Sequence, residues 1–373
     1  MKNSVQKHYD CIVVGAGPAG TAFVKTLQNS HSNLSILVVE KFKFPRDKVC
    51  GDALTNLCVP MIREIFPEVQ QFIPTKSFTK KYNIHYDRAV TIQRNDGVLD
   101  VIERKAFDHL LWNSVDKSTI DVLEGASVYD VIEIGGEVKG IKYHFQNQPF
   151  ETTTDLLIGA DGSQSIIRRK TGSTDGDDVC PAVRQYFSHL SNPQAGFIFL
   201  MDPPNRGYFW IFPFFKNNEW WANCGYGAKK GRIRQRFEEL KQHPFVSEHL
   251  AGAQAHSPVK GFPINMATTF KLNRIKLTRS MWGPGYILLG DAACLVHPYT
   301  GEGISSALYS GKLCAELIAR GLQKESLGSE YQEGVVDFME KSFALTATAM
   351  LFKIPCLLPN FLRLPYLKIL SSS

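Results

Sequence analysis

The residues able to do chemistry sit in short glycine-containing segments, and the first segment has the spacing for a dinucleotide. In Gly15-Ala16-Gly17-Pro18-Ala19-Gly20, Gly15 allows a tight turn, Gly17 lets the backbone approach a pyrophosphate, and Gly20 allows close helix–strand packing. Amides opening the next helix can receive phosphate charge. Glu40 follows Gly20 by twenty residues, where an acid binds a ribose 2′-OH. A second segment is Phe44-Pro45-Arg46-Asp47-Lys48-Val49-Cys50-Gly51-Asp52. Lys48 can meet negative charge on a cofactor. Cys50, beside Gly51, either approaches a ring system closely or is an inert buried thiol. Arg104 either reaches a phosphate or adenosine edge or is an exposed helix arginine. Asp161-Gly162 follows a buried apolar run and reads as a phosphate- or ribityl-side loop, or as a solvated turn. Gly290-Asp291 ends another apolar run and leads to His297-Pro298-Tyr299-Thr300-Gly301-Glu302-Gly303. Asp291 is placed for a further cofactor contact, and a helix opening after Gly303 can turn its positive end toward a flavin ring. His297 is a proton donor or a structural turn residue.

The elements that must carry these segments follow from hydrophobic patterning. Asp10 to Val14 and Ile36 to Val39 are apolar runs of the kind buried in parallel sheets, with a helix over Thr21 to Gln28 between them. Arg104 opens a helix through Val115. Ser127 to Ile134, Glu137 to Phe145 and Thr154 to Ile158 read as a small ribbon of strands, the first two joined by Gly135-Gly136. Ile84 to Arg88 and Val90 to Arg94 alternate as strands before a turn at Asn95-Asp96-Gly97. Tyr286 to Leu289 is a strand, and a helix runs from Gly303 to about Ile318. Between them, residues 183–226 are dense in aromatic residues on alternating positions. Period two sets Tyr208, Trp210 and Phe212 on one face, as sheet core, as an apolar tunnel, or as both. Pro213 is expected to end that strand.

The 373 residues suffice for two domains, and 44% hydrophobic with 21% charged residues is a globular composition. No run of eighteen apolar residues suggests a membrane span, and residues 1–8 do not form a secretory signal. The 8 cysteines show no CxxC pairs, and no zinc or iron–sulfur spacing is present. This favours a reducing, cytoplasmic setting and no metal. The net charge of +6 is mild. The basic stretch from Lys229 to Arg236 lacks any nucleic-acid module around it and reads as a solvated loop entering a helix over residues 231–250. From Lys341 to Ser373 there are four Lys/Arg and no Asp/Glu, with prolines at 355, 359 and 365. That tail suits short amphipathic pieces lying peripherally on the inner membrane face, or helices covering a pocket.

Taken together, the loops resemble those of FAD-dependent oxidoreductases built like para-hydroxybenzoate hydroxylase. Within that group, Lys48-Val49-Cys50-Gly51, Tyr208-x-Trp210-x-Phe212-Pro213 and Pro298-Tyr299-Thr300-Gly301-Glu302-Gly303-Ile304 are similar to segments of the geranylgeranyl reductase family. The resemblance implies an α/β fold: a Rossmann-like FAD-binding domain, an inserted antiparallel-sheet substrate domain and a C-terminal helical segment. It divides the chain into FAD-binding parts 1–75, 96–175 and 281–325, substrate parts 76–95 and 176–280, and a helical, membrane-facing segment 326–373. It implies FAD held by the first glycine turn including Ala19, by Glu40, Lys48 and Arg104, by Asp161 and Gly162, by Asp291, and by the turn bearing Pro298, Gly301 and Gly303. The implied reaction is saturation of isoprenoid C=C bonds in a prenyl lipid or prenyl quinone. Cys50 is then the proton source, and Tyr208 and Trp210 hold the prenyl chain and face transient positive charge. NAD(P)H or another external donor supplies the electrons, since no second glycine-rich dinucleotide unit is present. The rival readings are an FAD-dependent aromatic monooxygenase, a small-molecule oxidoreductase of a biosynthetic pathway, and a non-catalytic FAD-binding module.

Overall fold

The computed structural model describes residues 6–55, 57–72, 82–85, 100–173, 178–193, 196–266, 270–271, 274–275, 280–297, 300–321 and 324–345. Pro298, the Asn95-Asp96-Gly97 turn, most of the strand pair expected over 84–94 and the tail from residue 346 lie outside the described residues.

Five parallel strands form the heart of an eight-stranded sheet. Tyr286–Leu288, Gln148–Gly159, His8–Val14, Ile36–Glu40 and Asp121–Glu124 lie side by side in that order, with Trp282–Gly283 antiparallel at one edge. All five residues of Ile36–Glu40 are buried, as expected of an inner strand covered on both faces. Gln148–Gly159 is long enough to do two jobs. Its first half pairs antiparallel with Glu137–Phe145, which pairs in turn with Ser127–Ile134, while its second half joins the parallel core. The expected ribbon is therefore continuous with the main sheet.

Register decides where the loops emerge. Val14 pairs with both Val39 and Gly159, and Gly159 pairs with Leu288. Ala160 donates its amide to the Val14 carbonyl, Gly15 to Val39 and Leu289 to Gly159. Three strands thus end at one level, and the segments beginning at Gly15, Ala160 and Leu289 leave the sheet together at its carboxyl edge, where open α/β sheets collect ligands.

The helices Pro18–Asn29 and Ile304–Ala319 pack on one another with backbones close. A Cβ added at Gly311 would stand 2.3 Å from the Ala19 carbonyl oxygen and 3.0 Å from the Phe23 nitrogen. The helix Lys324–Leu345 covers this pair, burying Leu327, Tyr331, Val335 and Met339 in the main core.

The second sheet runs Gln254–Ala255, Asp178–Ser188, Glu219–Ala228, Gly207–Lys216, Phe197–Asp202 and Tyr82–His85, with Lys260–Met266 also paired to Asp178–Ser188. Its neighbours are antiparallel except Tyr82–His85, which runs parallel to Phe197–Asp202. Alternation sorts the aromatic strand by face. Phe209 and Ile211 pack on one side with Phe237 and Leu240, whereas Trp210, Phe212 and Phe214 pack on the other with Tyr186, Phe197 and Trp221. Phe237 and Leu240 belong to Ile233–Lys241, the first of two helices in the segment expected to be one; Pro244–His249 is the second, with Pro244 opening a new first turn.

Pro213 does not end its strand. Gly207–Lys216 continues through it, and Pro213 pairs with Ala222. The neighbouring strand Phe197–Asp202 pairs only as far as Ile211, so Pro213 stands at a local edge, where its ring and missing N–H are tolerated.

The helix contact at Gly311 yields a stability prediction. Gly311→Val should lower unfolding free energy by about 2–3 kcal/mol or more through overpacking against a backbone that cannot yield. Urea titration checks it; a midpoint equal to wild type would show that the helices separate without cost.

Candidate active site

The site grows from the carboxyl edge of the first sheet. Gly15 takes a positive φ of 100° and packs so tightly that a Cβ there would lie 2.5 Å from the Ala160 carbonyl oxygen. Gly20 is equally enclosed, its would-be Cβ 2.0 Å from the Gly15 oxygen. Gly17 differs. A Cβ there would meet only the Arg46 guanidinium, at 3.6 Å, so Gly17 faces open space beside a cation. The helix that follows has no side-chain cap and no acid in its first turn. Its N-terminal amides and positive dipole end are therefore available to an anion.

Glu40 is 5% exposed and accepts from the amides of Ala16, at 2.8 Å, and Phe42, at 3.0 Å. It thereby braces the glycine turn. Arg46 lies 3.4 Å from Glu40 and 2.8 Å from Asp108. Arg104 is 2% exposed rather than a surface arginine, and it grips Asp108 through Nε at 2.6 Å and Nη2 at 2.8 Å. Burial opposes the charge of Asp108, yet Arg104 and Arg46 beside it hold its carboxyl below the usual range. The Arg104 guanidinium is also near enough to Cys50 for a charged sulfur to interact with it. Arg104 and Asp108 are four apart on one helix, a spacing visible in the sequence, whereas the part played by Arg46 is not.

Lys48 and Asp291, both expected to face a cofactor, form an ion pair at 3.2 Å. Asp291 opens a short helical turn over Gly290–Ala293, and its Oδ1 lies 3.0 Å from where a Gly303 Cβ would stand. Ile304–Ala319, the helix after Gly303, has no side-chain cap and no acid in its first turn. Asp161 turns away from open space: its Oδ2 accepts from Ile166 at 2.6 Å and Ile167 at 3.4 Å, capping the helix Ile166–Lys170. Its Oδ1 is buried without a hydrogen-bond partner among the described residues, and burial raises its pKa. Gly162 next to it has nothing within 4 Å of an added Cβ. His297 is a turn residue, since its Nδ1 accepts the Thr300 amide at 3.1 Å and its carbonyl the Gly301 amide at 2.9 Å. Glu302 is directed at the residues that follow the second segment, where Thr55 and Cys58 donate to it, and burial raises its pKa.

The aromatic strand closes the site from the second sheet. Tyr208 donates its hydroxyl to the Thr300 carbonyl at 2.7 Å, and a Cβ on Gly301 would lie 3.3 Å from that hydroxyl. A Cβ on Gly51 would stand 3.3 Å from the Phe212 ring and 3.7 Å from Trp210 Nε1. Trp210 and Phe212 stack with centroids 6.0 Å apart, and Phe199 meets Phe212 edge-on. Sequence reasoning missed Asn223. This buried amide accepts from Trp210 Nε1 at 2.9 Å and donates to the Cys50 carbonyl at 2.9 Å and to Asp52 Oδ2 at 2.8 Å. Its signal was a lone amide within the apolar run Trp220-Trp221-Ala222-Asn223-Cys224, where an unpaired polar group would be costly. Lys216, at the far end of the strand, pairs with Glu103 at 2.7 Å.

These residues fit an adenine dinucleotide flavin. Two uncapped helix N-termini, the open faces of Gly17 and Gly162, and the cations Arg46 and Lys48 border one edge of the sheet. Among the described residues no group of His, Cys, Asp and Glu could hold a metal ion, and no helix is long and apolar enough to cross a membrane.

Comparison with known proteins agrees. The FAD binding domain family matches residues 8–334. Digeranylgeranylglycerophospholipid reductase 1 of Methanopyrus kandleri is 25% identical over 353 residues, covering 90% of this chain and 87% of the relative. Digeranylgeranylglycerophospholipid reductase of Thermoplasma volcanium is 28% identical over 349 residues, covering 89% and 84%. Among solved structures, a geranylgeranyl bacteriochlorophyll reductase-like protein of Thermoplasma acidophilum superposes with a TM-score of 0.75 at 21% identity, over 98% of this chain and 92% of that one. A flavin-dependent brominase reaches 0.73 at 19% identity, over 98% and 93%. At these identities the two structures speak for the fold alone. With strand register, glycine turns and family match in agreement, the chain belongs to the FAD binding domain family and has the geranylgeranyl reductase-like fold.

Proposed function

We propose that this FAD-dependent oxidoreductase saturates isoprenoid C=C bonds of a prenyl lipid or prenyl quinone. The observation that carries the reading is the approach of Gly51 to the Trp210–Phe212 face, which brings the backbone of the Cys50 segment, from the flavin-binding half, against an aromatic wall of the other half. The names of the two archaeal relatives, reductases of a digeranylgeranyl phospholipid, support the same substrate class.

An isolated alkene has no carbonyl to polarise. Its reduction needs a hydride on one carbon and a proton on the other, with any cationic character shielded from water. When bound, FAD supplies the hydride from its reduced ring, and NAD(P)H or another external donor supplies the electrons. The first glycine turn, Arg46 and the N-terminus of Pro18–Asn29 would hold the phosphate-bearing part, and the N-terminus of Ile304–Ala319 would face the ring. Gly301 and Gly303, together with the Lys48–Asp291 pair, border the ring side. The faces of Tyr208, Trp210 and Phe212 hold the prenyl chain and meet developing positive charge with π density. Trp210, 5% exposed, and Phe212, 7% exposed, pack among other rings, and half-buried Tyr208 presents the most open face of the three. Cys50 delivers the proton to the second carbon, and the Arg104 guanidinium beside the sulfur balances the negative charge left behind. The basic segment from Lys341 to Ser373 suits peripheral contact with the membrane from which such a substrate comes.

Two experiments test this. Anaerobic incubation of the dithionite-reduced FAD-loaded protein with geranylgeranyl lipids and prenyl quinones should give products heavier by about two mass units per saturated bond. A full panel recovered unsaturated would reject the substrate class. Cys50→Ala should lower kcat by about a hundredfold, the usual worth of a positioned general acid, while FAD stays bound. Turnover at the wild-type rate would remove Cys50 from the reaction.

A further inference from the structure

The segment carrying Cys50 is tied to the second sheet by more than contact. Asp52 takes a positive φ of 64°, uncommon for a residue other than glycine, and is fully buried. Two donors converge on its Oδ2: the Tyr186 hydroxyl and Asn223 Nδ2, the latter at 2.8 Å. The same amide nitrogen of Asn223 also donates to the Cys50 carbonyl at 2.9 Å, while Asn223 Oδ1 accepts from Trp210 Nε1 at 2.9 Å. One buried amide therefore touches the thiol-bearing segment, the carboxyl and the aromatic wall together. A second tie lies five residues upstream, where Asp47 binds Arg184 at 2.9 Å and Lys260 at 2.6 Å. Asp52 Oδ1, by contrast, is buried without a hydrogen-bond partner among the described residues.

We propose that Asp52, acting through Asn223, is a positioning residue that locks the Cys50 segment in register with Trp210, and that loss of its charge opens this clamp. The inference rests on the reading of Cys50 and Trp210 given above for its catalytic consequence, but the clamp itself can be read without substrate. Two charge-assisted hydrogen bonds to one oxygen depend on the ionised carboxyl. Burial pushes the Asp52 pKa up to about 6, against the pull of Tyr186, Arg184, Asn223 and Arg104, which are the charged and polar groups facing it from the two strands and the helix packed on it. The carboxyl is therefore ionised and the clamp closed above about pH 6. Below it the carboxyl is neutral, both bonds weaken, and Oδ1 offers the new proton no acceptor among the described residues.

The test uses FAD-loaded protein and iodoacetamide, with labelling at Cys50 read by peptide mass spectrometry. Cys50 is half-buried, whereas the other described cysteines are buried. Asp52→Asn should label at the wild-type rate near pH 5 and about tenfold faster near pH 7.5, the worth of a charge-assisted bond to a clamp that only the wild type can close. Asn223→Ala should likewise label faster than wild type near pH 7.5. A D52N-to-wild-type ratio that stays flat with pH, or wild-type labelling in N223A, would overturn the clamp. Tyr186→Phe gives a second arm that does not depend on D52N folding. The folded state holds the Asp52 proton more tightly than the unfolded chain does, so the contribution of Asp52 to stability falls as pH rises from about 4 to about 6 and then levels off. Losing the Tyr186 donor should move that levelling upward by about one pH unit in urea unfolding. An unmoved curve would show that Asp52 is not held as described. Neither arm uses a prenyl substrate, so failure of the reductase reading would leave both results interpretable.

Discussion

The register Val39–Val14–Gly159–Leu288 is the constraint on which the rest of this molecule depends. It ends neighbouring parallel strands at one level and forces the segments that follow them into a common space. Because side chains alternate with period two, a slip of one residue in any of these strands would exchange the side chains of its two covered faces and mispack both. Register is thus enforced by the hydrophobic core itself. The tight approach of Gly15 to Ala160 is a consequence, and it is why a side chain is excluded at that glycine.

Charge is distributed unevenly around this edge. Near the first turn, cations are neutralised internally: Arg46 by Glu40 and Asp108, Arg104 by Asp108, Lys48 by Asp291. The helix N-termini, by contrast, carry no capping side chain or first-turn acid. A phosphate-bearing ligand meets oriented amides with cations held nearby in fixed positions. Such a site pays little reorganisation on binding. The second sheet brings three cations to its facing side, Arg184, Lys216 and Lys260, each paired with an acid of the other half. Beside them it contributes rings, with Asn223 as the amide that orients one of them.

The two halves are joined by specific polar links rather than by apolar contact alone. Tyr208 reaches Thr300, Lys216 reaches Glu103, Arg184 and Lys260 reach Asp47, and Asn223 reaches Cys50 and Asp52. Four of these links, made by Tyr208, Lys216 and Asn223, fall on the aromatic strand or its partner Glu219–Ala228. Directional bonds of this kind set relative position more sharply than burial does, because their strength falls steeply with misalignment. A reaction that needs a thiol and an aromatic wall on the same alkene depends on that sharpness.

Local rules determined much of this protein. The spacing of Gly15, Gly17 and Gly20 before an apolar strand ending in Glu40 announced a dinucleotide turn, and strict alternation through Tyr208, Trp210 and Phe212 announced their shared face. Both signals are periodic over a few residues, so no distant contact is needed to read them. Tertiary structure alone decided whom the polar residues meet. Arg104 became a buried partner of Asp108 near Cys50, Asp161 turned inward to cap a helix, Lys48 found Asp291 243 residues away, and Pro213 was kept within a strand because its neighbour stops short. Asn223 looked like one polar residue among tryptophans until folding brought Cys50 and Asp52 to it across more than 170 positions. Pairing between distant side chains is fixed by strand order and register, which no local pattern encodes.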